Sequence, residues 1–191
     1  MGFAMPKYSQ AVHQLQLHER YYLELGRFIQ RFAGIEAKLQ DVLWHFSGVS
    51  PEVARSIFSG VRPDQAVSFI KRLNRSRGTE LHPMLAETLD QVSVINAARN
   101  MIIHYGALFD NGMPTVVTNR RIANHPDETL RFPVTSSSLD ALTADIQHIH
   151  LRLNLFLQRN QTKPTRFERA VAQLQQRAWR YKHVVEVGAH P

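Results

Sequence analysis

The sequence predicts a mostly α-helical protein: an antiparallel helical bundle with a small β-hairpin inserted after its fourth helix. Three observations predict it. Apolar residues recur at 3- and 4-residue steps over several long stretches, as in amphipathic helices. Glycine, proline and serine break those stretches at short intervals, and connections this short make neighbouring helices antiparallel. After Tyr105-Gly106 the pattern changes to short apolar runs around an Asn-Gly pair, the mark of a hairpin.

Taken in order, Phe28, Phe32, Ile35, Leu39, Val42, Leu43 and Phe46 predict a first helix from about Leu15 to Phe46. Glu36 falls on its inner side and there needs a partner. Ser47-Gly48 stop this helix, and Ser50 as N-cap with Pro51 at the first helical position starts a short second one carrying Val53, Ile57 and Phe58. A third follows Pro63-Asp64, with Val67, Ile70 and Leu73 inward and Gly78 as its stop. The fourth runs from about Pro83 to His104.

Residues 107–109 and 115–118 then form a hairpin about Asp110-Asn111-Gly112, with 129–134 as a third strand. Ser136 to Ser138 cap a helix whose Leu139, Leu142, Ile146, Ile149, Leu153 and Phe156 keep unbroken helical spacing. Asn160 to Pro164 is a linker. The last helix, from Thr165 to about Tyr181, is apolar along Phe167, Val171, Leu174, Ala178 and Tyr181. The predicted organisation is one domain: a bundle over 15–158 that includes the hairpin at about 106–134, with a basic helix over 165–185 appended to it.

A chain of 191 residues with 43% hydrophobic and 20% charged residues is long enough to bury one real core. No apolar run approaches the ~18 residues of a membrane span, so no membrane is expected as a partner. Met1 to Tyr8 has no signal-peptide pattern, and a cytoplasmic location is expected. With no cysteine, disulfides, thiolate metal sites and cysteine nucleophiles are excluded. The histidines lack ligand spacing (His148 and His150, two apart, cannot share a helix face), so neither a metal nor a cofactor is expected. The net charge of +7 favours an anionic partner. The charge is clustered: Lys71, Arg72, Arg75 and Arg77 form one group, Arg120 and Arg121 a second, and Arg166, Arg169, Arg177, Arg180 and Lys182 a third. A phosphate backbone is the simplest single explanation for all three.

The densest signal is Ala98 to Tyr105. On the fourth helix the stripe Leu85, Leu89, Val92 continues through Asn96 and Arg99 before Ile103 restores apolar character. Asn100 and His104 share a face, and Arg99 lies in the neighbouring column. Three polar groups are thus expected to converge at one helix end.

An Arg-Asn-x-x-x-His run closing a helix, within a helical bundle with an inward acid on its first long helix, resembles the HEPN superfamily. Arg99, Asn100 and His104 carry the resemblance, with Glu36 as the first-helix acid, over roughly residues 20–158. The resemblance implies a metal-independent endoribonuclease that acts as a homodimer through facing motif helices, in defence or stress. An imidazole, ordinarily titrating at about 6.5, can take a proton from a ribose 2′-OH near neutral pH, and His104 would do so. The 2′-oxygen would attack the adjacent phosphorus. Arg99 would steady the phosphorane oxygens with a planar charged fork, and Asn100 would orient the imidazole or donate to the phosphate. Lys71, Arg72, Arg75, Arg77 and Tyr105 are the expected RNA-binding residues.

One departure is plain. Toxin members commonly carry a tyrosine two positions after the histidine, whereas here Tyr105 follows His104 directly and Gly106 holds the second position. That argues against a toxin of that type, although a partner or antitoxin protein stays among the implied ligands. Simpler readings stand alongside: an Arg99–Glu36 ion pair joining two helices, or His104 as a helix C-cap. The alternative function is an inactive HEPN-like module that binds RNA, a nucleotide or a partner protein.

Overall fold

The computed structural model describes residues 7–110, 113–159, 162–183 and 186–187. The Asn111-Gly112 turn, Asn160-Gln161 of the expected linker and the first six residues lie outside the described residues. Helix α1 (Lys7–Ser47) is followed by α2 (Pro51–Phe58), α3 (Pro63–Ser76) and α4 (Pro83–Tyr105). Strands β1 (Ala107–Asp110), β2 (Met113–Thr118) and β3 (Leu130–Pro133) come next, then α5 (Ser136–Leu157), α6 (Pro164–Gln175) and a two-residue strand β4 (Glu186–Val187). The expected class, mostly helical with a small antiparallel sheet, is what the chain adopts. Among the described residues no helix is long and apolar enough to cross a membrane.

The stops and starts follow local chemistry. Gly48 takes a left-handed φ of 70° after α1, where a side chain would be strained. Ser50 accepts from the Val53 N–H, with Pro51 at the first helical position of α2. Thr135, not the expected Ser136 to Ser138, caps α5: it accepts from Ser138 N at 3.1 Å, and the three serines lie inside the first turn. The core lies where α1 packs on α5 and α3, and α4 on α3, α5 and the sheet. Phe28, Phe32, Leu39 and Leu43 of α1 are fully buried, each contributing about 1.5–3 kcal/mol by leaving water. Phe46 of α1 stacks on Phe156 of α5, ring centres 5.6 Å apart.

Three further expectations are corrected. Helix α1 reaches back to Lys7 rather than Leu15, because the apolar stripe marks where the core begins and not where the helix does; Val12 and Leu15 are exposed. On α4, Ile103 is 45% exposed, while Ile102, a step of three rather than four from Arg99, is buried. The last helix ends at Gln175, not near Tyr181, and Ala178 is exposed. From there the chain runs as a strap over α4 and α5, and β4 then pairs with β3 as the fourth strand of the sheet.

Two buried charges on α5 explain that early end. Arg152, 1% exposed, donates through Nη2 to the Leu174 carbonyl at 3.0 Å, placing a cation at the C-terminal end of α6. Its Nη1 meets Glu87 of α4 at 2.8 Å, its Nε donates to His148 Nε2 at 3.1 Å, and its guanidinium lies 4.4 Å from the centre of the Trp179 ring. Asp145, equally buried, accepts from Arg180 N at 2.9 Å and Tyr181 N at 2.9 Å, and from Gln91 Nε2 at 3.0 Å. A carboxylate holding two consecutive backbone N–H groups dictates an extended strap at that point.

Asp145→Ala is therefore expected to destabilise the fold by about 2–4 kcal/mol in urea unfolding, since it strands buried donors. Burial first, and the neighbouring Arg152 next, hold His148 below the ordinary 6.5; burial does the same to His183. In each case the unfolded chain binds the proton more readily, so this stability is present above the unfolded value and lost as pH falls below it. The melting temperature should drop as pH is lowered from about 7.5 to about 5.5, and His148→Gln should flatten that slope.

Candidate functional site at the end of the fourth helix

His104 sits in the last turn of α4, exposed. Gly106, at φ 68°, turns the chain at once into β1, and its N–H donates to the Ile102 carbonyl at 3.2 Å. Ala107 pairs with Val117, so the residues after β2 run back past the start of β1 and arrive beside Tyr105 and His104. The outcome is an open groove of about 650 Å³ lined by His104, Tyr105, Leu108, Asn119, Arg120, Arg121 and neighbours.

Asn119 holds the far wall in place. Its Oδ1 accepts from Leu130 N at 2.7 Å, its Nδ2 donates to the Glu128 carbonyl at 3.2 Å, and its own carbonyl accepts from Ile122 N and Ala123 N at 2.8 and 3.0 Å. The loop that carries Arg120 and Arg121 is thereby fixed at its root while both side chains remain exposed. Neither guanidinium forms an ion pair among the described residues. The groove thus offers two free cations and an imidazole that makes no hydrogen bond within the described chain, a surface suited to phosphate oxygens. Sequence reasoning saw the Arg120-Arg121 pair but not its neighbour. The signal was present, because a hairpin turning about residues 111–112 must return 118–121 to the level of 104–107.

Arg99 and Asn100 are placed elsewhere. The Arg99 guanidinium lies 5.7 Å from the centre of the Phe32 ring on α1, and its Nη1 donates to Asn100 Oδ1 at 3.0 Å. Its Nε is buried without a partner. Neither residue lines the groove of His104. The expected meeting of the three polar groups is therefore not made within one chain: residues 99 and 104 are five apart, which turns them to different sides of the helix. The Arg99–Glu36 ion pair is also absent. Phe32 occupies the place opposite Arg99, and half-buried Glu36 lies one turn, about 6 Å, further along α1. His104 likewise makes no capping hydrogen bond; Gly106 closes the helix.

The expected RNA-binding group on α3 stands apart as well. Lys71 Nζ pairs with Asp90 Oδ1 at 2.6 Å. Asp90 precedes His104 by 14 positions on α4, which is about 21 Å of helix. Arg72 lies 5.9 Å over Phe69, Arg75 is exposed, and the Arg77 guanidinium approaches Gly48. No group of three metal-ligating side chains comes together among the described residues.

Compared with known proteins, the chain matches no family model, no curated protein and no solved structure. A double-mutant cycle of Arg99→Ala and Glu36→Ala in urea unfolding should give a coupling energy below about 0.5 kcal/mol, as befits side chains that form no ion pair.

Proposed function

We propose that this protein is a HEPN-like, metal-independent endoribonuclease that works as a homodimer in defence or stress, with RNA lying in the groove beside His104. The observation that carries the reading is an exposed imidazole lining one groove together with the Arg120-Arg121 pair. In this reading His104 takes the proton of a ribose 2′-OH, the 2′-oxygen attacks the adjacent phosphorus, and the bond from phosphorus to the 5′-oxygen breaks. A 2′,3′-cyclic phosphate and a 5′-hydroxyl end result, the departing oxygen taking its proton from solvent. Arg120 and Arg121 hold the flanking phosphates, and Tyr105 offers a ring on which a base can stack.

The homodimer has a chemical role here. A second motif helix facing the first would bring an Arg99–Asn100 pair to a His104 groove that, within one chain, has neither. Exposed Ile103, Leu108 and Ile122 beside the groove supply apolar surface for such a contact. The second reading, a binding module without catalysis, is favoured by the same separation of Arg99 from His104.

The test is cleavage of labelled RNA in EDTA by the wild type, His104→Ala and Arg99→Ala. Both variants should lose at least about 100-fold in rate, the range of a positioned acid–base or oxyanion group, and cleavage should leave cyclic phosphate ends. Intact RNA with the wild type, or equal cutting by His104→Ala, would replace the enzyme with the binding module.

A further inference from the structure

A second basic trough lies between α1, α5 and the strap, and shares no lining residue with the His104 groove. One part, about 280 Å³, is walled by Arg27, Arg31 and Arg180 with Thr143 and Gln147. The adjoining part, about 510 Å³, is walled by Arg31, Arg177 and His150 together with the apolar Ile146 and Leu151. Arg31 and Gln147 belong to both, so the two parts are continuous. With its amide oxygen turned towards the guanidinium, Gln147 accepts from both terminal nitrogens of Arg31 and holds that side chain at the junction.

We propose that this trough is a phosphate-chain binding site, taking several consecutive phosphates of a linear polyanion without reading its sequence. Charge is the first reason. Arg27, Arg31, Arg177 and Arg180 form no ion pair among the described residues. Of the two carboxylates in the wall, Glu24 is already engaged by Arg20 at 2.9 Å, outside the trough, which leaves Asp140 against four guanidinium groups. A concave surface lined by one sign of charge concentrates the opposite ion.

Preorganisation is the second. Arg27 and Arg31 are one turn apart on a packed helix. Arg177 and Arg180 sit on the strap, whose backbone the buried Arg152 and Asp145 hold through Leu174 and Arg180. The backbone is fixed, so binding has only the four exposed side chains left to order.

Shape is the third. The trough follows α1 from Glu24 to Gly34, about 15 Å, roughly the rise of four nucleotides in one strand. Among the described residues His150 is the one ring in its wall, so bases find little to stack on beyond apolar contact at Ile146 and Leu151, while the guanidinium groups take the phosphates.

The site stands independently of cleavage at His104. It is tested by fluorescence anisotropy with labelled single-stranded RNA and DNA of about twelve nucleotides and with inorganic polyphosphate, each across a salt series. Arg27→Ala/Arg31→Ala should weaken binding of at least one of these at least about five-fold and lower its salt slope by about 1.4, two lost contacts at about 0.7 each. Arg166→Ala, on the exposed face of α6, should change nothing. RNA and DNA bound alike, with polyphosphate weaker, identifies a nucleic-acid backbone; polyphosphate bound tightest identifies the free phosphate chain. Unchanged binding of all three by the Arg27/Arg31 variant overturns the proposal. If Arg120→Ala/Arg121→Ala alone abolishes binding of all three, the trough is lost and the His104 groove retained; if Arg27→Ala/Arg31→Ala alone abolishes RNA binding, the trough is retained and RNA is removed from the groove. Both variants change exposed side chains away from the strap's anchors, so neither depends on the stability of the strap.

Discussion

Two opposite charges buried on one helix, Asp145 and Arg152 of α5, settle where the chain's last segment lies. Neither is tolerable inside the core alone, since an uncompensated buried charge costs several kcal/mol. Each is satisfied by backbone groups of the chain's final segment: Arg152 by the Leu174 carbonyl that ends α6, Asp145 by the N–H groups of Arg180 and Tyr181. The strap then leads to β4, which closes the edge of β3. Sheet, strap and bundle are in this way tied through two side chains, and Tyr181, its phenol pushed up to about 12 by burial, packs beneath.

The same placement governs how the positive charge is distributed. Lys71 is matched to Asp90, and Arg152 is spent inside the core. Arg120 and Arg121 meet His104 across one groove, while Arg27, Arg31, Arg177 and Arg180 line a trough on another face. The three basic groups read along the chain are therefore redistributed by the fold, which gathers two local concentrations with different company. One sets two arginines beside an imidazole and a tyrosine at a helix end; the other sets four arginines beside an amide and the single ring of His150. The first is equipped for proton transfer next to a phosphate, the second for holding a backbone.

The end of α4 shows why a helix terminus is a productive place for such chemistry. As far as Ile102 one side of the helix is enclosed, and polar side chains at its margin must find internal partners or lie against rings, as Arg99 does on Phe32. Past that point the neighbours stop and the left-handed Gly106 swings the chain into β1. His104 is left in water within a wall built by the hairpin. Arg99 and His104, close in sequence, thus experience opposite environments.

Local patterns were enough to place most of the elements. Ser50-Pro51, Pro63, Pro83 and Gly78 mark helix ends through backbone chemistry that needs no distant contact, and the stripe from Leu139 to Phe156 names the buried side of α5 correctly. The changed period after Gly106 likewise announced the hairpin. What remained hidden was every feature that depends on which element faces which. Arg152, His148 and Asp145 look like ordinary polar positions of an amphipathic helix until α6 and the strap close over them, and the apolar Ala178 and Tyr181 spacing fits a helix as well as a strap. The partner of Arg99 turned on whether Phe32 or Glu36 arrived opposite it, a difference of one helical turn that periodicity cannot resolve. Periodicity specifies which side of an element is buried; only packing decides what lies across from it, and ion pairs and grooves are made by what lies across.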